Sequence, residues 1–251
     1  MTTPAASMST EKKTSLDSAP QKASVGILGG SFNPLHIGHI RLAIEVFEAM
    51  RPHRLDFLPA ATPPHKGYKH VLPFALRTHM LEEVVKEMPH FAVNTIEGER
   101  EGPSYTVDTL KLCREREPLY RRFFILGVED FAHIHTWYQW KEIPRLVDLL
   151  IVPRSGNEIQ LFVETVRRLW PEARTASGPP PVDALFELPG AEDCGKIMYL
   201  TLPRIDIRAE LIRNRFLVGR SIRFLVPDSV SALLARNAPS ALCCWKPSED
   251  A

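Results

Sequence analysis

Two histidines that stand three residues apart, His36 and His39, follow a pair of glycines at residues 29–30. The apolar run at 25–28 predicts a buried strand before the glycines, and the apolar spacing over 40–47 predicts a helix after them. Glycines let the backbone approach a ligand, and a helix N-terminus offers N–H groups and the positive end of the helix dipole. Because imidazoles can donate hydrogen bonds to an anion, the segment favours a phosphate site, although a tight turn with two surface histidines would give the same local pattern.

The string over residues 29–39 reads Gly-Gly-Ser-Phe-Asn-Pro-Leu-His-Ile-Gly-His. It resembles the signature of the nucleotidyltransferase superfamily, which shares its His-x-Gly-His element with the class I aminoacyl-tRNA synthetases. In that superfamily the histidines contact the phosphates of ATP while the α-phosphorus is attacked. The resemblance implies that ATP is bound by Gly29, Gly30, Ser31, Phe32, His36 and His39.

The composition describes an ordinary soluble globular protein. Of 251 residues, 44% are hydrophobic and 24% are charged, and the formal net charge is +1. This balance of positive and negative charge gives no sign that the protein binds nucleic acid or a membrane through its overall charge. No apolar stretch approaches the length of a membrane span. The four cysteines form neither a zinc pattern nor a disulfide framework, so we expect reduced thiols and a cytoplasmic protein. The sequence leaves the oligomeric state open, and a homo-oligomer is compatible with it.

Strands and helices alternate along the chain, which predicts an α/β fold with a Rossmann-like, doubly wound parallel sheet and a small C-terminal helical part. Residues 1–23 are rich in Ser, Thr, Ala and Lys and are expected to form a disordered extension, with the main domain at 24–226 and a C-terminal helix and tail at 227–251. Six strands are predicted, at 25–28, 54–59, 91–96, 121–127, 147–154 and 196–202. Helices are predicted at 40–47, at 73–85, after residue 106, at 157–170 and at 206–216, with a loop around 178–181.

Three polar segments follow predicted strands, where ligands bind in open α/β sheets. The loop at 60–69 carries Lys66, and from composition alone it could be an ordinary solvated loop. In the segment at 104–106, Ser104 or Thr106 could simply cap the next helix. The segment at 128–140 holds acids, histidines and aromatics, yet nothing in it demands a metal site.

The segment at 204–216 carries several arginines on a predicted helix, for which Asp206 is a plausible N-cap. Arginines on a helix are most often solvated. Beside a triphosphate, however, Arg208 and Arg213 could hold phosphate oxygens through two parallel hydrogen bonds.

Taken in order, these segments resemble the bacterial nicotinate-nucleotide adenylyltransferase family over residues 25–230. The matching motifs are the opening signature, Pro-Pro-His-Lys at 63–66, Arg-x-x-Met at 77–80, Ser-Tyr-Thr at 104–106, and a glycine followed ten residues later by Trp at 127–137. The resemblance implies that Trp137 stacks on the nicotinate ring and that backbone amides near Trp137 and Tyr138 hold its carboxylate, with Thr106 close by. The residues that it assigns to the mononucleotide are Lys66, Ser104, Tyr105, Thr106, Gly127, Glu129, Trp137, Tyr138 and Arg154.

The chain departs from the family pattern at four places. Asn33 stands where many members have Asp, Glu129 replaces an Asp, and Ser155 replaces a Pro. The Ile-Ser-Ser-Thr-x-Ile-Arg signature reads Ile-Arg-Ala-Glu-Leu-Ile-Arg over 207–213, so its hydroxyls are lost while Arg213 is kept. We expect Arg208 to replace hydroxyl hydrogen bonds with charge, and Glu210 to be unfavourable beside a triphosphate unless it points away or meets magnesium.

The resemblance implies adenylyl transfer from ATP to nicotinic acid mononucleotide, with Mg²⁺ carried by ATP, with His36, His39 and Arg213 as catalytic residues and without a dedicated protein metal site. Two alternatives stay open. One is another small-molecule transferase of this superfamily, a phosphopantetheine adenylyltransferase or a cytidylyltransferase. The other is a nucleotide-binding regulatory protein with weakened catalysis, which the altered segment at 207–213 would explain.

Overall fold

The fold is an eight-stranded sheet with helices on both faces. A computed structural model describes residues 23–62, 70–153, 158–190, 194–203 and 205–246. In chain order the strands are β1 (Ser24–Gly30), β2 (Arg54–Pro59), β3 (Phe91–Val93), β4 (Arg121–Gly127), β5 (Asp148–Val152), β6 (Arg174–Ala176), β7 (Ala184–Glu187) and β8 (Lys196–Tyr199).

The α-helices alternate with the strands in the first two thirds of the chain and then close it. They are α1 (Ile37–Met50), α2 (Phe74–Val85), α3 (Thr106–Arg116), α4 (Val128–Ala132), α5 (Ile143–Leu146), α6 (Ile159–Leu169), α7 (Ala209–Leu217), α8 (Asp228–Arg236) and α9 (Ala238–Trp245). Short 3₁₀ turns lie at Ile96–Glu99, Ile134–Thr136 and Trp140–Glu142. Across those described ranges, none of the helices combines the length and the apolar character that crossing a bilayer requires.

The strand order is β3-β2-β1-β4-β5-β8-β7-β6. The first six strands in this order pair in parallel, as the alternation predicts, and β7 and β6 add an antiparallel hairpin at one edge. In register, Leu28 of β1 lies beside Phe57 of β2 and Ile125 of β4. The order reverses between β1 and β4, and such a reversal opens a crevice at the carboxyl ends of the two strands.

Alternate residues along the central strands enter two different cores, one on each face of the sheet. Leu28 and Ile125 belong to the first core, which is covered by α1, α2 and the C-terminal helices. Ile27 and Phe124 belong to the second, which is covered by α3 to α6. Burial on both faces explains why these strands read as continuous apolar runs in the sequence.

Six strands were predicted, and the described residues contain eight, because the sequence periodicity did not reveal the hairpin of β6 and β7. β6 has only three residues, two of them exposed, so it shows too little alternation to be recognised. The loop expected around 178–181 connects these two strands.

The C-terminal region holds two helices rather than the single terminal helix that was predicted. They meet at Asn237, and Pro239 stands in the first turn of α9, where a missing N–H group is tolerated. Both helices contribute to the first core through residues such as Val230, Leu234 and Trp245. Of the extension predicted at residues 1–23, residues 1–22 lie outside the described part of the chain.

Candidate active site

A cleft of about 530 Å³ opens at the carboxyl ends of β1 and β4. Its floor includes Leu28 and Gly29 from β1 and Leu126 and Gly127 from β4. This is the point where the strand order reverses, and the volume is in the usual range for a small-molecule site. A Cβ atom on Gly29 would lie 2.8 Å from the ring of Phe124, so only glycine fits there without displacing that ring.

The two predicted histidines meet at one end of the cleft. His36 is the N-cap of α1, is 5% exposed, and lies with His39 in a stacked pair whose ring centroids are 3.6 Å apart. The ring of Phe32 packs edge-on against His39 at 5.0 Å. Phe32 is buried in the first core, so its side chain supports His39 from behind and does not line the cleft with Gly29, Gly30 and Ser31.

The start of α1 differs from expectation in one respect. The N–H group of Ile37, at the first helical position, donates to the carbonyl of Leu225 at 3.0 Å and is therefore engaged by the chain itself. The packing around Gly38 explains why the His-x-Gly-His element has a glycine at this position. A Cβ atom there would lie 3.1 Å both from Nδ1 of His36 and from the carbonyl oxygen of Ile205, so a side chain would push these segments apart.

The segment at 205–209 forms the wall of the cleft on the histidine side, and Arg208 lies in it. Asp206 also lines the cleft. The prediction that Asp206 is the N-cap of α7 is wrong. Arg208 occupies that position with extended backbone angles, because the helix begins only at Ala209. Glu210 is not among the described residues that line the cleft, and together with Asp206 and Arg208 it borders a neighbouring depression of about 300 Å³.

Arg213 lies on α7 behind this wall and is not among the described residues that line the cleft. Its Nη1 donates to the carbonyl oxygen of Asn33 at 2.9 Å, so it holds the backbone of the turn that leads to the histidines. Burial lowers the pKa of the Arg213 guanidinium, although the carboxylate of Glu210 opposes that shift.

The end of the cleft that lies on the other face of the sheet is lined by Ser104, Tyr105 and Thr106 at the start of α3. The predicted capping role of Ser104 or Thr106 is wrong, because Tyr105 is the N-cap. Ser104 instead joins two loops: its Oγ accepts from the N–H of Thr62 at 3.0 Å, and its own N–H donates to the carbonyl of Thr62 at 3.0 Å.

The segment after β4 completes this end. Glu129 and Asp130 from α4, together with Trp137 and Tyr138, line the cleft. The ring of Tyr138 lies against that of Tyr105, with 4.6 Å between centroids. Among the residues that the structure describes, no group of three or more His, Cys, Asp and Glu side chains is arranged to hold a metal ion.

Two buried charged residues that the motif analysis did not assign to the site hold the cleft's loops. Arg77 of α2 is 1% exposed, and its guanidinium donates to the carbonyl oxygens of Leu72 at 2.9 Å, Ser31 at 2.8 Å and Ala61 at 3.4 Å. Burial lowers the pKa of Arg77 to about 10, and the negative charge of Glu97 opposes the shift. The Arg-x-x-Met resemblance contained Arg77 but gave it no role.

Glu97 is the second of these residues and lines the cleft itself. Its Oε2 accepts from the N–H of Ala61 at 3.1 Å, and its Oε1 accepts from the hydroxyl of Thr109 at 2.9 Å. It lies in a 3₁₀ turn just beyond β3, and no local pattern in the sequence distinguishes it from a surface glutamate.

The structure thus brings together most of the residues singled out from the sequence. Those that line the cleft are Gly29, Gly30, Ser31, His36, His39, Ser104, Tyr105, Thr106, Gly127, Glu129, Trp137, Tyr138 and Arg208. Phe32 and Arg213 lie directly behind it. Lys66 and Arg154 lie outside the described residues.

Comparison with known proteins agrees with this architecture. The cytidylyltransferase-like family model matches residues 27–215. In fold, the chain is similar to Plasmodium falciparum nicotinic acid mononucleotide adenylyltransferase complexed with NaAD, with a TM-score of 0.66 and 14% identity over 88% of this chain and 98% of that one. It is also similar to a putative nicotinate-nucleotide adenylyltransferase from Vibrio parahaemolyticus, with a TM-score of 0.57 and 16% identity over 88% and 96% of the two chains.

Relatives with higher sequence identity define the family of this chain more narrowly than these structures of similar fold. A probable nicotinate-nucleotide adenylyltransferase of Geobacter metallireducens is 36% identical over 207 residues, which is 82% of this chain and 93% of the relative. Another, from Citrifermentans bemidjiense, is 37% identical over 214 residues, again 82% of this chain and 93% of the relative. The chain therefore belongs to the nicotinate-nucleotide adenylyltransferase family, within the wider cytidylyltransferase-like family.

Proposed function

We propose that this protein transfers the adenylyl group of ATP to nicotinic acid mononucleotide, giving nicotinic acid adenine dinucleotide and pyrophosphate. The observation that carries the proposal is one continuous cleft with two chemically different ends. A stacked histidine pair and Arg208 suit phosphates at one end, and aromatic rings with hydroxyl groups suit a flat, polar ring at the other.

The reaction needs no protein nucleophile. An anionic phosphate oxygen of the mononucleotide attacks the α-phosphorus of ATP, a new P–O bond forms, and the bond from the α-phosphorus to the bridging oxygen breaks. That oxygen leaves on pyrophosphate with the electron pair. Because the attacking phosphate is already anionic, catalysis consists of holding the two substrates in line and stabilising the charge that develops.

On the ATP side, the backbone at Gly30, Ser31 and Phe32 would contact the nucleotide, and His36 and His39 would stabilise charge on the α- and β-phosphates. Arg208 lines the cleft and would contact phosphate oxygens directly. Arg213 would act from behind the wall through the backbone of Asn33 unless its guanidinium rotates toward the ligand. Lys66 is the further cation assigned by the family resemblance.

Mg²⁺ fits this cleft as a companion of the triphosphate. Asp206 lines the cleft beside Arg208, and a carboxylate oxygen is a ligand that Mg²⁺ accepts, while Mg²⁺ usually takes several of its ligands from substrate phosphates and water. The ion would neutralise part of the triphosphate charge and so ease departure of pyrophosphate.

On the acceptor side, Trp137 would stack on the nicotinate ring, with Tyr105 and Tyr138 closing the pocket beside it. An electron-poor pyridinium ring favours an aromatic face. Ser104, Thr106, Gly127 and Glu129 would contribute the polar contacts to the mononucleotide, and Arg154 is a further candidate from the resemblance.

The deciding experiment compares initial rates of pyrophosphate release with ATP and three acceptors: nicotinic acid mononucleotide, its amide, and phosphopantetheine. We expect the acid mononucleotide to give the highest kcat/KM. A higher value with the amide would overturn the acceptor assignment, and a higher value with phosphopantetheine would indicate another transferase on this scaffold. ATP binding without pyrophosphate release with any acceptor would indicate a regulatory protein.

A further inference from the structure

Asn33 is a hub of buried hydrogen bonds within the turn that leads to the histidines. Its Oδ1 accepts from the N–H of Leu72 at 3.1 Å and from the indole Nε1 of Trp245 at 3.0 Å, and its Nδ2 donates to the carbonyl of His70 at 2.8 Å. Two donors at Oδ1 and one acceptor at Nδ2 fix which way the amide faces. A carboxylate could accept the first two bonds but could not donate the third, which accounts for asparagine at this position.

The donor from Trp245 comes from the far end of the chain. Trp245 is the last residue of α9, is 5% exposed, and packs edge-on against Phe216 of α7 with 5.4 Å between ring centroids. It lies beyond the residues matched by the family model, which end at 215. Arg213 of α7 donates to the backbone carbonyl of Asn33, and Trp245 of α9 donates to its side chain. Two C-terminal helices therefore hold the same residue.

The position of Asn33 affects the positions of His36 and His39. Asn33 stands between Phe32, whose ring supports His39, and His36, which stacks on His39. A shift of Asn33 would move both supports of the histidine pair. We propose that Trp245 is a positioning residue that acts through Asn33 to set the phosphate-binding turn, and that α9 is thereby part of the catalytic apparatus. The proposal rests on the transferase function proposed above.

If Trp245 positions the histidines, its loss should change the kinetics differently than if it only packs in the core. His36 and His39 stabilise transition-state charge, whereas the mononucleotide binds at the other end of the cleft. A displaced histidine pair should therefore lower kcat and leave the KM for the mononucleotide unchanged. General loosening of the fold would instead lower thermal stability and the concentration of active enzyme without a selective loss of kcat.

The test uses Trp245→Phe, which keeps a large buried ring against Phe216 but removes the N–H donor. The matched control is Trp170→Phe, the same change at a tryptophan that is also 5% exposed but lies in the core on the other face of the sheet. We expect Trp245→Phe to lower kcat by about three- to tenfold, the size of one lost hydrogen bond, with the mononucleotide KM within about twofold of wild type. The control should keep kcat within about twofold at a similar loss of melting temperature.

A double-mutant cycle with Asn33→Ala tests whether Trp245 acts through Asn33. If it does, adding Trp245→Phe to Asn33→Ala lowers kcat no further, whereas independent effects would multiply. The proposal is overturned if Trp245→Phe has the kcat of the wild type, if the control loses as much kcat, or if the two effects multiply. If Asn33→Ala does not fold, the comparison of the two tryptophan variants still decides. Absence of wild-type turnover would instead refute the proposed function.

Discussion

The guanidinium of Arg77 donates a hydrogen bond to the carbonyl oxygen of Ser31, with 2.8 Å between Nη1 and O. This bond connects α2 to the turn that leads from β1 to His36 and His39. The same guanidinium donates to the carbonyl of Ala61, whose N–H donates to Glu97, so one hydrogen-bond network that includes both charged side chains holds the loops after β1 and β2. The network leads to the first prediction.

Replacing Arg77 with Leu should destabilise the fold by about 3–5 kcal/mol, because three carbonyl oxygens lose their buried donor and the charge of Glu97 loses a compensating positive charge. Chemical denaturation would measure the loss. Arg114→Leu, at an exposed arginine of α3, is the control and should change stability by less than about 0.5 kcal/mol. The double variant Arg77→Leu with Glu97→Gln should lose less stability than the sum of the losses of the two single variants. Additive losses would show that the pair does not interact.

Replacing His39 with Ala should lower kcat by about 10²–10³-fold, since it removes a donor aimed at charge that develops in the transition state. Circular dichroism and the melting temperature should stay close to those of the wild type. His79→Ala, at an exposed histidine of α2, should keep full turnover. Near-normal turnover of His39→Ala would exclude this residue from catalysis.

Replacing Arg208 with Ala should raise the KM for ATP by roughly ten- to a hundredfold, the value of a charged hydrogen bond to phosphate, while the KM for the mononucleotide stays unchanged. Arg220→Ala, at an exposed arginine beyond α7, is the control for loss of one positive charge. An equal effect of both variants would reduce the role of Arg208 to general electrostatic attraction.

Replacing Trp137 with Leu should raise the KM for nicotinic acid mononucleotide by about tenfold through the loss of ring stacking, with little change in the KM for ATP. Trp140→Leu provides the comparison. Trp140 packs against Trp170 at 5.3 Å, outside the described lining of the cleft, and its loss should lower stability but not the mononucleotide KM. Equal KM changes in both variants would refute stacking by Trp137.

The stability of the fold should depend on pH through Asp148, at the start of β5. Burial raises the pKa of this carboxyl above its ordinary value of 3.8, against the opposing N–H of Lys196 and the charge of Arg121. The folded chain therefore holds the proton more tightly than the unfolded chain, and ionisation of Asp148 lowers stability as the pH rises above about 4.

Asp148→Asn should accordingly become more favourable, relative to the wild type, between pH 4 and pH 7. Its amide oxygen can still accept from the N–H of Lys196, which lies 3.0 Å from Oδ1. Denaturant unfolding at both pH values measures the change. Glu172→Gln, at an exposed carboxyl, corrects for the lost charge. A stability difference that is constant or falls with pH would contradict the assignment.

The sequence by itself determined the α/β class, the parallel arrangement of the central strands and most of the candidate residues that line the cleft. These features depend on local information. Buried strands and amphipathic helices are visible in the spacing of apolar residues along the chain, and His36, His39 and Trp137 lie in short motifs. The hairpin of β6 and β7 was missed since three residues carry no period. The caps of α3 and α7 were misplaced because several neighbouring polar residues could each have served as the N-cap.

Only the tertiary structure decided which distant residues support that site. Asn33 and Trp245 are 212 residues apart, and Arg77 and Ser31 are 46 apart. A glutamate such as Glu97, or an indole at the end of a short helix, has the same local sequence context whether it is exposed to solvent or buried beside the cleft. The partners of Asn33 and Arg77 are set by the packing of α2, α7 and α9 on one face of the completed sheet, and Thr109, a partner of Glu97, is brought there by α3 on the other face. No local pattern in the chain records that packing.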